Sequence, residues 1–204
     1  MGRTSDARDR LLTAACDLIR SRSYGSVGVA EICALAGVRK GSFYYFFDSK
    51  QSLTLAAVNV HWDEQRAAWE AVLSAPEPAL ARLRRLFEET AASLRASQEA
   101  SGAVNGCVLA NLALELSTQD QVVQTRLQEI FAEQIALIAD TLQQAAAEGS
   151  IPAASATRAI ARAVVAQMEG MILFAKLGND PDVLNDLWSQ TLLLLRAATP
   201  ALAA

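Results

Sequence analysis

Histidine is nearly absent from these 204 residues, with His61 standing alone. General-base schemes that draw on imidazole therefore have little material. No Ser/His/Asp constellation, glycine-rich phosphate loop or metal-ligand cluster stands out, so we expect no enzyme, no cofactor and no metal site. Cysteine is scarce as well. Cys16, Cys33 and Cys107 are an odd set without Cys-x-x-Cys spacing, which points away from a disulfide framework or a zinc site. No hydrophobic run is long and unbroken. The most apolar stretch, 159–177, carries Arg162, Gln167 and Glu169, which excludes a membrane span. The opening MGRTSDARDR is too polar for a signal peptide. A reduced, cytoplasmic protein is expected.

Strand-like alternation, internal repeats and low-complexity tracts are missing too. What is present is Ala and Leu in quantity, and 52% hydrophobic residues overall. Those two lose little on entering a helix, so the expected fold is all-α. The net charge of −4 argues against a nucleic-acid binder, but it is unevenly spread. Residues 1–50 hold 8 Lys and Arg against 5 Asp and Glu, while 51–204 hold 10 against 17. A small basic end on an acidic body suits a DNA contact at one end only.

Turn-forming clusters divide the chain into about nine helices, near 6–22, 29–36, 39–46, 49–73, 77–97, 105–117, 120–147, 153–177 and 181–198. We expect an N-terminal helix-turn-helix domain over 1–48 and a helical ligand-binding and dimerisation domain over 49–204.

The informative stretch is 29–47. Gly37 supplies the positive φ needed where two short helices meet. Cys33, four residues earlier, serves as the small residue at their close approach. Ile32, Ala36, Val38, Phe43 and Phe46 or Phe47 can face a core. Lys40, Ser42, Tyr44 and Tyr45 then point outward, and those types bind phosphates or read base edges. Apolar helix positions are usually core, which suits Phe43 and Phe47. Tyr44 and Tyr45 could be core or DNA contacts, and their hydroxyls need polar partners. Arg3, Arg8 and Arg10 form either a DNA-seeking arm or a solvated face.

The run AEICALAGVRKGSFYYFFDSKQSL closely resembles the DNA-binding signature of TetR-family repressors. The match extends over residues 6–55. The resemblance implies an operator of double-stranded DNA contacted by Arg39, Lys40, Ser42, Tyr44 and Tyr45, with Lys50 opening the fourth helix against a phosphate. This chain departs from the pattern in lacking a His at position 45 or 46. It also has Val27 and Gly28 where many relatives carry hydroxyls, so Gly28 caps the second helix without a side-chain oxygen.

Beyond residue 49 the likeness thins. Asn105 to Leu116 resembles the Gly-Cys-x-x-x-Asn-Leu-x-x-Glu segment of the acrylate- and N-ethylmaleimide-responsive TetR-type repressors, and Met168 to Lys176 resembles a second segment of that subgroup. The subgroup's cysteine is linked to sensing electrophiles. Asn105 is a candidate N-cap that would put Cys107 in a first helical turn, where the dipole favours thiolate. The alternative is an inert, buried Cys107. For a pocket lining we expect Trp62, Gln65, Trp69, Phe87, Cys107, Asn111, Phe131 and Met168, although each aromatic reads first as ordinary core. His61 reads better as a structural residue than as a ligand contact.

Two apolar faces remain. One carries Ile160, Val164, Met168 and Met171; the other Val183, Leu184, Leu187, Trp188, Thr191, Leu192 and Leu195. They are either internal core or half of a four-helix homodimer interface, which the resemblance favours. The expected function is a homodimeric repressor released from DNA by a small-molecule effector or electrophile. The alternative is a non-catalytic helical adaptor that binds protein partners without DNA.

Overall fold

The computed structural model describes the backbone of residues 2–196 and the side chains of residues 6–196. Among the described residues there are nine α-helices and no strand: α1 Gly2–Ser21, α2 Val29–Ala36, α3 Lys40–Phe46, α4 Lys50–Leu73, α5 Ala79–Ser101, α6 Val108–Leu116, α7 Gln121–Ala147, α8 Arg158–Gly178 and α9 Leu187–Leu195. Short 3-10 turns cover Tyr24–Ser26, Ala153–Ser155 and Pro181–Asp186. No described helix is long and apolar enough to cross a membrane.

Three boundaries differ from expectation for local reasons. The helix expected from 105 begins at Val108, because Asn105 turns its amide to Ser97 Oγ (3.2 Å) and Cys107 takes the N-cap position. The helix expected from 153 begins at Arg158, where Thr157 Oγ1 accepts from Ile160 N at 3.2 Å. A hydroxyl cap satisfies an otherwise orphaned N–H and sets the start. The last expected helix is split. Pro181 opens a 3-10 turn under the Asp180 carboxylate, and regular α-helix resumes only at Leu187.

The chain packs as two compact units. One joins residues up to Gln65 with Gly106–Ile130, and the other takes Arg66–Asn105 with Phe131 onward. The first unit thus runs past the 48/49 boundary drawn on the sequence, and α6 packs with the N-terminal helices. Its core gathers Leu11, Ala15, Ile32, Phe43, Leu53 and Ala57, all buried. The second unit buries Leu83, Leu86 and Phe87 of α5, Leu142 of α7, Val164 and Met168 of α8, and Leu187 and Leu195 of α9.

Burial decides between the two readings for most of these positions: Val164, Met168, Met171, Leu184, Leu187, Thr191 and Leu195 are internal, while Ile160, Val183, Trp188 and Leu192 are half-buried. The internal side chains fill the space between α5, α8 and α9. On α8 and α9 the large apolar residues left outside are Leu173 (53% exposed), Phe174 (60%), Leu177 (78%) and Leu193 (81%).

Candidate nucleic-acid interface and effector region

Gly37 ends α2 in the left-handed conformation, with φ +62°. Its N–H reaches Ala34 O, and Val38 N reaches Cys33 O at 2.9 Å, closing the last turn. Arg10 of α1 adds a bond from Nη1 to Ala36 O at 3.0 Å. Arg10 therefore serves the fold. Arg8, also on α1, lies 5.7 Å from the Phe47 ring centroid, and the Arg3 side chain is outside the described residues.

Phe43 and Phe47 anchor α3 in the core, as expected. With them fixed, the opposite face of α3 must point to solvent. Arg39, at the N-cap, is exposed, as are Lys40 and Ser42, and Tyr44 and Tyr45 are 53% and 75% exposed. Core is thus ruled out for both tyrosines. Tyr44 rests edge-on against Phe43 at 5.1 Å, and Tyr45 against Phe46 at 5.0 Å, which orients both hydroxyls. Five of the six expected DNA-contact residues lie on this one short segment, 39–45.

The sixth, Lys50, is placed differently. Its Nζ donates to Tyr24 O at 2.8 Å and Val27 O at 2.9 Å, and lies 3.7 Å from the Tyr24 ring centroid. Burial lowers its pKa, and Glu115 partly restores it. The ammonium binds the turn between α1 and α2 instead of facing outward. The cap of α4 comes from Ser49 and Ser52, each accepting from the other's N–H, at 3.1 and 3.0 Å.

Of the eight expected effector residues, Trp62, Gln65, Cys107 and Asn111 fall in the first unit, and Trp69, Phe87, Phe131 and Met168 in the second. Trp62, Trp69, Phe87 and Met168 are buried. Phe87 meets the Trp188 ring at 6.3 Å, so it belongs to the second unit's core. The Gln65 Oε1 is sealed from solvent without a hydrogen-bond partner. Asn111 Nδ2 donates to Arg20 O at 3.3 Å, so its amide holds the end of α1. A surface groove of about 530 Å³ in the first unit is lined by Leu55, Asn59, Gln121, Val122, Thr125, Arg126 and Glu129, and none of the eight.

Cys107 is half-buried at the N-cap of α6. Burial pushes Cys16 up to about 11 against the opposing pull of Arg20, and raises Cys33 against Lys40. Both stay protonated at neutral pH, and a thiol is a poor nucleophile beside a thiolate. His61 is half-buried, and Arg20 Nη2 donates to its Nδ1 at 3.2 Å.

Sequence reasoning assigned no role to Glu115. Its Oε1 accepts from Ser23 Oγ and Gly25 N, both at 2.6 Å, and its Oε2 from Tyr24 N at 2.7 Å. Burial would raise its pKa, but these three bonds and Lys50 outweigh it and leave the carboxyl below its usual range. An acid on a short apolar helix was the available signal.

A left-handed turn between short helices, with a polar face held outward by buried rings, defines a helix-turn-helix DNA-binding protein. Residues 11–57 match the family described as bacterial regulatory proteins, tetR family, and residues 79–191 match the tetracyclin repressor-like C-terminal domain. The chain belongs to the TetR family of transcriptional regulators. It is 32% identical over 180 residues to the transcriptional regulator AcuR of Cereibacter sphaeroides, covering 88% of this chain and 80% of that one. It is 28% identical over 186 residues to the repressor DhaR of Mycobacterium sp. strain GP1, covering 91% and 89%. A solved TetR regulatory protein from Rhodobacter sphaeroides superposes with a TM-score of 0.83 at 27% identity, covering 91% and 96%. Escherichia coli NemR in its reduced form shares the fold, with a TM-score of 0.83 at 24% identity, covering 97% and 100%.

Proposed function

We propose that this chain is a homodimeric transcriptional repressor, acting in the cytoplasm, that leaves its operator when a small-molecule effector or thiol-reactive electrophile engages the region beyond helix α4. The observation that carries it is the outward face of α3, where Lys40, Ser42, Tyr44 and Tyr45 stand exposed over a buried Phe43. Lys40 and Ser42 serve phosphates, and the tyrosines serve base edges or sugars. Arg39 joins them at the helix start, and Lys50 acts behind the interface. Residues 1–48 supply the DNA contact; 49–204 supply effector binding and dimerisation.

The dimer is supported by Leu173, Phe174 and Leu177, which recur on one stripe of α8 and lie open. Gly170 lies one turn before Phe174, and a Cβ built there meets nothing within 4 Å. A mid-helix glycine costs about 1 kcal/mol against alanine. Among the described residues no packing repays that, whereas a helix of a second copy crossing close to Gly170 would. Two-fold pairing then places two α3 helices in successive major grooves, roughly 34 Å apart.

Release is supported by Cys107 at the start of α6, where the helix dipole favours thiolate. The repressors NemR and DhaR are among its relatives, and membership of the electrophile-responsive subgroup is part of the proposal. An activated alkene would add across its double bond, the thiolate sulfur forming the new C–S bond and solvent protonating the adjacent carbon. The buried Gln65 Oε1 offers a reversible ligand an acceptor.

The test is fluorescence anisotropy of DNA from upstream of the gene, titrated with protein before and after N-ethylmaleimide. Binding abolished by the reagent in wild type but retained in Cys107→Ser supports the electrophile reading. Binding untouched by the reagent in both keeps the repressor and rejects Cys107 as its sensor.

A further inference from the structure

Helix α6 has two ends with different work. Its N-cap is Cys107, and its last turn carries Glu115. The Glu115 carboxylate grips three donors in a row: the Ser23 hydroxyl and the Tyr24 and Gly25 amides. Those residues form the turn that joins α1 to α2, the first helix of the helix-turn-helix. One turn earlier on α6, Asn111 holds Arg20 O at the end of α1. From the other side Lys50, the first residue of α4, binds the carbonyls of Tyr24 and Val27. The turn is thus clamped between an anion that takes its N–H groups and a cation that takes its C=O groups.

Gly25 shows how close the fit is. A Cβ built there would lie 3.2 Å from Glu115 Oε1, so a side chain at this position forces the carboxylate to shift. Charge-assisted bonds from a carboxylate to backbone N–H are among the stronger hydrogen bonds. Two adjacent amides and a hydroxyl held by one carboxylate fix orientation as well as distance. A displacement of α6 therefore reaches the α1–α2 turn through a rigid link, and from there α2 and α3.

The geometry points to Glu115 as the positioning residue that holds the helix-turn-helix in its operator-binding placement. It touches no DNA and acts through the turn. This inference rests on the repressor reading above. Loss of the grip loosens α2 and α3. Glu115→Gln removes the charge and turns an amide N–H toward donors that need an acceptor. Gly25→Ala presses on the same carboxylate from the other side, displacing it by a few tenths of an ångström while keeping its charge.

The experiment uses the full chain and two readouts. The first is hydrogen exchange without DNA across residues 22–50. Glu115→Gln and Gly25→Ala should speed exchange through α2 and α3, while the exposed control Glu88→Gln should not. The second is affinity for operator DNA as salt is varied. We expect binding weakened about tenfold, within the range of ordinary coupling between sites, with an unchanged salt slope because no phosphate contact is lost. Faster exchange confined to Tyr24 and Gly25, with unchanged affinity, would reduce Glu115 to a local cap and overturn the inference. A changed salt slope would also overturn it, by making Glu115 or its turn part of the DNA contact. If wild type binds no DNA, the repressor reading fails, and the exchange readout still judges the positioning role.

Discussion

Two lysines ten residues apart should behave oppositely when their charge is removed. Lys40 is exposed on the outward face of α3, whereas Lys50 spends its ammonium on Tyr24 O and Val27 O. Each phosphate contact contributes a slope of about −0.9 to log K against log salt. A two-fold dimer carries two copies, so Lys40→Met should reduce the slope by about 1.8 with little change in stability. Lys50→Met should leave the slope alone. It removes two charge-assisted bonds and leaves two carbonyls short of a donor, a loss of about 2–3 kcal/mol. For a chain of this size that lowers the melting midpoint by roughly 4–12 °C. Anisotropy titrations at several salt concentrations, beside thermal melts, read both effects. A Lys50→Met variant that loses as much slope as Lys40→Met at an unchanged midpoint would refute the reasoning.

Three further outcomes follow from buried groups and the open face. Burial, with help from Arg20, depresses His61 to about 4 from 6.5. The unfolded chain therefore takes up a proton first, and stability present above pH 6.5 should be lost as pH falls toward 4, by about 3 kcal/mol at most. Urea midpoints against pH should show that component in wild type and lack it in His61→Gln. Arg82, 6% exposed, donates to Leu73 O and to Gln144 Oε1 at 2.7 Å, near Glu148 at 4.0 Å. Arg82→Ala should cost about 3–5 kcal/mol in urea unfolding, and Arg82→Met with Gln144→Leu should recover most of it. Phe174→Arg should yield a folded monomer by light scattering with lost operator affinity, while retention of the dimer would move the interface elsewhere.

The helix-turn-helix was legible because its constraints are local. Only glycine sits easily at Gly37, and the spacing of Phe43 and Phe47 sets which way Lys40 and Tyr44 point. Other features depend on partners distant in sequence. Asn105 looked like a cap, yet its amide prefers Ser97, and the helix waits until Val108. Lys50 fits a phosphate by position, but nothing near it in the chain reveals the carbonyls at 24 and 27. Helix α8 is apolar on more than one side, and periodicity cannot tell which side the chain itself covers. The answer came from burial, which put Met168 inside and Phe174 outside. Glu115 sat within a quoted motif, but its role needed the turn ninety residues away.

The most direct test of the central claim is selection of genomic fragments by the purified protein, followed by footprinting of the enriched sequence. A two-fold dimer should protect a two-fold-related site with half-sites about one helical turn apart, with affinity that falls steeply with salt. Absence of any enriched sequence, or binding by a single copy to an asymmetric site, would contradict it.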